Sequence, residues 1–145
     1  SDVVAREARQ MLANTRDSAG AGCLALTEAL LADGRISVWE RVRALVEQNQ
    51  LPTAKRIGAR ALDARGKPVD QKLLTQAIDR PAAFLTAHER RLTEIQRELA
   101  TVAIVRLARD SHAAAVVASH RAAFGASHGA STGTVSAMRS SRSIA

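Results

Sequence analysis

Between Arg91 and Arg109 the apolar residues Leu92, Ile95, Leu99 and Val102 recur at steps of three and four, with Arg106 next in the series. A half-buried strand alternates every second residue, whereas this spacing lays a narrow stripe along one side of a helix. From Ala103 to Leu107 the stripe widens as Ile104, Val105 and Leu107 join it. The C-terminal half of such a helix needs cover on more than one side, and the segment reads as the central strut of a helical array.

Composition points the same way. The chain has 145 residues, no Tyr, one Trp and two Phe, so a single-domain core has to be built from Ala, Leu, Val and Ile. Ala and Leu favour helix, and small side chains let helix axes approach closely. An all-α fold follows.

Helix punctuation is legible along most of the chain. Ser1 or Asp2 opens a first helix to Ala13 with Val3, Val4, Ala8, Met11 and Leu12 as its apolar side, and Asn14 to Asp17 interrupt it. Ser18 is a candidate cap for a second helix to about Ala32, with Cys23, Leu26, Leu30 and Leu31 inward and Gly34 as its stop. Ser37 and Glu40 have the S-x-x-E spacing of a capping box, which predicts a third helix burying Val38, Val42, Leu45 and Val46 and ending near Asn49. Pro52 suits the first turn of a fourth helix, which carries Ile57, Ala61 and Leu62 and stops at Gly66.

Asp70 caps a short fifth helix bearing Leu73, Leu74, Ala77 and Ile78, and Pro81 starts another with Phe84 and Leu85. The strut follows, and Ser111 is read as the cap of a last helix through Ala114, Val117 and Ala118 to about Ala123. Ala29–Arg35 and Ala61–Lys67 share the pattern A-L-x-x-x-G-[RK] at a separation of 32 residues, the length of one hairpin in a helical solenoid. The expected architecture is a stack of antiparallel helical hairpins, an α-superhelix or solenoid fragment, over residues 1–123. Residues 124–145 read as a flexible, basic tail rich in Ser, Gly and Ala: from Gly125 onward there are three Gly, six Ser and two Thr and no acid.

The net charge of +7 suggests nucleic acid until it is divided. Three Arg and no acid lie beyond Ser111, while the preceding part holds eighteen basic and fourteen acidic residues, interspersed at helical spacing as in Arg91, Glu94, Arg97 and Glu98. Lys55, Arg56 and Arg60 on adjacent turns, with Arg41 and Arg43, are the best candidates for phosphate contacts. There are almost no aromatic residues to stack on bases. Glu94 and Glu98 share a helical face but are flanked by Arg90, Arg91 and Arg97, a surface ladder and not a general-acid pair. Asp33 and Asp79 read as turn or cap residues.

His112 and His120 are roughly 12 Å apart along a helix, and His88 and His128 fall in expected connectors, so no metal shell is spelled out. No nucleotide-binding glycine motif occurs. Cys23, the sole cysteine, reads as a small buried hydrophobe. No catalytic, cofactor-binding or metal-binding residue is nominated, and no cofactor is expected. No apolar run has the length of a membrane span, and no signal peptide is visible. The chain begins at Ser1 without Met, as a processed product or an excised piece does.

Four local features together carry a resemblance. They are the Cys23–Leu24 helix closed by a glycine turn, the segment Trp39 to Arg43 with its paired arginines, Ile78 to Phe84 around Pro81, and A-x-x-R-L-A-R at Ala103–Arg109. From about Gly22 to His120, two thirds of the chain, the sequence resembles the superhelical, non-catalytic region of the soluble lytic murein transglycosylases. The resemblance implies a periplasmic helical scaffold that positions a separate catalytic domain on the glycan strands of peptidoglycan. The Glu-Ser pair and the G-L-M-Q segment that mark that catalytic domain are both missing from this sequence, which implies that the chain alone has no lytic activity. Its expected partners are peptidoglycan or a catalytic domain of the same parent protein, with self-association through exposed end faces. The competing reading is a helical-repeat adaptor for a protein or nucleic acid.

Overall fold

Capping and turn signals place most of the helices where the sequence puts them. In the computed structural model the backbone is described for residues 1–16, 18–90 and 92–140, and side chains within those ranges as far as residue 125. Among the described residues there are seven helices and no strand: α1 (Asp2–Asn14), α2 (Ala21–Ala32), α3 (Val38–Glu47), α4 (Leu51–Gly58), α5 (Gln71–Asp79), α6 (Pro81–Ala87) and α7 (Glu94–Ser140). The fold is all-α. It divides into two compact units, Ser1–Arg109 and Asp110–Ala145.

In the first unit, α1 packs on α2, α3 on α4, α4 on α5 and α5 on α6. The main core joins Val42, Leu45 and Val46 of α3 to Ala54 and Ile57 of α4, Leu74, Ala77 and Ile78 of α5, Phe84 of α6, and Leu99, Val102 and Ala103 of α7. A smaller cluster of Leu12, Leu30 and Ile36 holds α1 to α2, with Ala5, Ala8, Cys23 and Leu26 packed around it. The inward line of α1 is thus Ala5, Ala8 and Leu12. Val3, Val4 and Met11, expected on its apolar side, are exposed, because small residues at steps of three and four are enough to meet α2.

Two helix ends share one geometry. After α2, Gly34 adopts φ 65, its N–H donates to the Leu31 carbonyl at 3.1 Å and that of Arg35 to Leu30 at 2.8 Å. After α3, Asn49 at φ 60 and Gln50 repeat the pattern on Val46 at 3.0 Å and Leu45 at 2.8 Å. Both are Schellman closures.

The fourth helix is shorter than expected. It ends at Gly58 and not at Gly66; a Cβ at residue 58 would lie 2.7 Å from Leu74 Cδ2, so the glycine lets α5 come against the end of α4. Residues 61–69 form a turn instead: Leu62 bridges Pro68, Val69 N–H donates to Ala61 at 3.0 Å and Asp63 N–H to Lys67 at 2.8 Å. Ala61 stays buried, but Leu62, expected on the helix, is exposed. The two A-L-x-x-x-G segments therefore share only a left-handed glycine, Gly34 in a helix end and Gly66 in this turn, and they are not copies of one structural unit.

The strut, α7, begins at Glu94; Arg91 lies outside the described residues. Its start is a reciprocal capping box missed in the sequence: Gln96 N–H donates to Thr93 Oγ1 at 3.2 Å, and Thr93 N–H to Gln96 Oε1 at 3.0 Å. Leu99, Val102 and Ala103 are fully buried, whereas Ile104 is 56% exposed. The widened half is therefore covered mainly on one side, with Val105 and Leu107 half-buried.

Ser111 does not start a new helix, since α7 continues through it to Ser140. Nothing there breaks a helix: serine can ride inside one by bonding to the carbonyl four residues back, as Ser119 does to Ala115 at 3.0 Å, and an isolated glycine weakens a helix without ending it. The stretch read as a tail is therefore helical as far as Ser140, its residues 141–145 lie outside the described residues, and the division between units falls after Arg109. In the second unit, every residue from 111 to 125 is exposed. No helix among the described residues is long and apolar enough to cross a membrane.

Candidate functional site

The basic residues that invited a nucleic-acid reading are engaged within the fold. Lys55 Nζ lies 2.7 Å from Asp79 Oδ2, Arg60 pairs with Glu28, and Arg56 donates to Thr53 Oγ1 at 3.3 Å. Glu98 receives Arg43 at 3.0 Å, and Asp33 stands at the C-terminal cap of α2. Among the described residues no group of three or more His, Cys, Asp or Glu side chains is placed to hold a metal ion. His88 stacks on Phe84 with ring centroids 4.4 Å apart, and its Nδ1 lies 2.9 Å from the Phe84 carbonyl. Cys23 is a half-buried free thiol.

The four arginines within the resemblance each hold a neighbouring element. Arg43 ties α3 to α7 through Glu98. Arg106 donates to the Ile78 carbonyl at 3.3 Å, in the last turn of α5, and Arg109 Nε to the Glu47 carbonyl at 3.1 Å, the last residue of α3. Both place a cation where unpaired carbonyls and the helix dipole favour one.

The fourth, Arg41, is 4% exposed and lies in a knot of polar groups. Ser18, predicted to cap α2, does not do so; the cap position belongs to Gly20. Ser18 is fully buried instead. Its N–H and its Oγ donate to Gln48 Oε1 at 3.0 and 2.6 Å, and Gln48 Nε2 donates to the Thr15 carbonyl at 3.1 Å. Arg41 Nη2 donates to the Ser18 carbonyl at 3.3 Å and to Ser18 Oγ. This knot fastens the link between α1 and α2 to α3; Asp17, within that link, lies outside the described residues.

Sequence reasoning had no signal for it, since Ser18 and Gln48 are 30 residues apart and match no motif. Beside the knot is a recess of about 110 Å³ lined by Arg9, Leu12, Ala13, Ile36, Glu40, Arg41 and Ala44. Arg9 Nη2 reaches both Glu40 oxygens there, at 3.0 and 3.2 Å. The capping box predicted at Ser37 is thus half-formed: Glu40 N–H donates to Ser37 Oγ at 2.9 Å, while the Glu40 carboxylate turns to Arg9.

These hydrogen bonds hold the link after α1 to α3. Among the described residues, the side chains that meet the Ser18 hydroxyl are the Gln48 amide and the Arg41 guanidinium. No family model, curated protein or solved structure matches the chain.

Proposed function

We propose that this chain is a non-catalytic helical scaffold, of the kind that positions a lytic transglycosylase catalytic domain on murein glycan strands. The observation that carries the reading is the use of its polar groups. Arg41, Arg43, Arg106 and Arg109, which fall in the segments resembling that family's superhelical region, are spent on a neighbouring helix end, an acid or a buried serine. Arginines held within the fold by helix ends, an acid and a serine support a mechanical role better than an enzymatic one. Periplasmic placement and contact with peptidoglycan belong to the same proposal and rest on the resemblance.

The test is a co-sedimentation assay with purified insoluble peptidoglycan, run beside a muropeptide-release assay and a DNA retardation assay over a salt series. Binding to the wall polymer without release of soluble muropeptides supports the scaffold. Release of muropeptides, or retention of DNA at physiological salt with no affinity for peptidoglycan, overturns it.

A further inference from the structure

Arg41 is a buried cation. Its guanidinium keeps its charge across the working range of a protein, yet among the described residues no carboxylate lies within ion-pair distance of it. Nη2 is spent on Ser18, and Nε is buried with no hydrogen-bond partner. Burial pushes its pKa down, against weaker opposing pulls from Cys23 and Glu40. An uncompensated buried charge is among the costliest features a fold can carry.

The surroundings show what would relieve it. Arg41 lines the recess between α1 and α3, whose volume is well above the roughly 10–15 Å³ that one water requires. Two cations and one anion border that space, and the anion, Glu40, is already held by Arg9. Among the described residues the local balance is therefore one positive charge, and the rest of the described lining, Leu12, Ala13, Ile36 and Ala44, is apolar or aliphatic. Such a site suits a compact, monovalent and weakly hydrated anion. A divalent phosphate would overcompensate the charge, and a bulky organic acid would not fit.

We propose that the recess between α1 and α3 is a binding site for a small monovalent anion of chloride size, held by Arg41 with Arg9 at its rim. The anion completes the knot at Ser18 and so fastens α1 and α2 to the rest of the first unit.

The experiment compares thermal unfolding in sodium chloride and in sodium gluconate at equal ionic strength, together with the line width of ³⁵Cl NMR. The wild-type chain is expected to gain about 5 °C in Tm, saturably, in chloride over gluconate, and to broaden the chloride signal. Arg41→Met removes both effects. Ala44→Leu fills the recess while keeping the arginine, and removes them as well; this variant decides the matter if Arg41→Met does not fold. Equal Tm in the two salts with an unbroadened chloride line overturns the proposal, as does a chloride increment that survives either substitution.

Discussion

Gly58 shows how a single missing atom sets the course of the chain. Its Cα stands so close to Leu74 that a Cβ would meet two methyl groups at 2.7 and 3.1 Å and Val42 Cγ2 at 3.4 Å. Both neighbours are fully buried and have little room to yield. Gly58→Val is expected to cost about 2 kcal/mol by overpacking, read as a lower urea midpoint at unchanged m-value. Asn49 is the complementary case, an exposed residue at φ 60. Asn49→Val is expected to cost about 1–2 kcal/mol from backbone strain alone, measured in the same way. Glycines and asparagines that end helices are legible from their neighbours, as Gly34 and the region of Asn49 were. Gly58 was not, because its reason is Leu74, a residue from another helix.

Among the elements, short-range chemistry was the legible part. Asp70 caps α5 through Lys72 N–H at 2.9 Å, and Pro52 and Pro81 sit in the first turns of α4 and α6, as their residue types dictate. The turn at 61–69 escaped because Ala61 and Leu62 read as helix formers, and its organiser, Asp63, is recognisable only once the chain has reversed. Asp63 Oδ1 accepts the amides of Arg65 at 2.8 Å and Lys67 at 2.9 Å. Those bonds, Lys67 foremost, hold its carboxyl below the usual carboxylate range.

A lowered native pKa means that the turn's contribution is complete above the unfolded value of about 3.9 and fades as pH falls through the native one. Asp63→Ala is therefore expected to lower the urea midpoint at pH 7 and to lose that deficit toward pH 2, as a pH series of unfolding curves would show. At the start of α7, Thr93→Ala is expected to cost about 1 kcal/mol, with faster amide exchange at Gln96 and Arg97 as its local signature.

At the scale of the molecule, the division after Arg109 follows burial. The first unit owns both hydrophobic clusters, while residues 111–125 are exposed throughout. A chain ending at Arg109 is expected to unfold cooperatively with a Tm within about 2 °C of the full chain, a shift worth well under 1 kcal/mol for a domain of this size. A loss of the cooperative transition on truncation would show that the second unit supports the first. The division after Arg109 differs from the boundary at residue 123 read from the sequence, since alanine and serine neither stop a helix nor bury it and composition alone does not show where packing ends. The recess and the Ser18 knot were invisible for a related reason: they are assembled from α1, α3 and the link after α1, each unremarkable by itself.

The reach of Arg106 and Arg109 has one more consequence. Both take hold of main-chain oxygens, and every amino acid offers the same oxygen. The latch on α3 is accordingly indifferent to what residue 47 is: charge reversal at the exposed Glu47 leaves the backbone acceptor in place, whereas shortening Arg109 removes the hand that grips it.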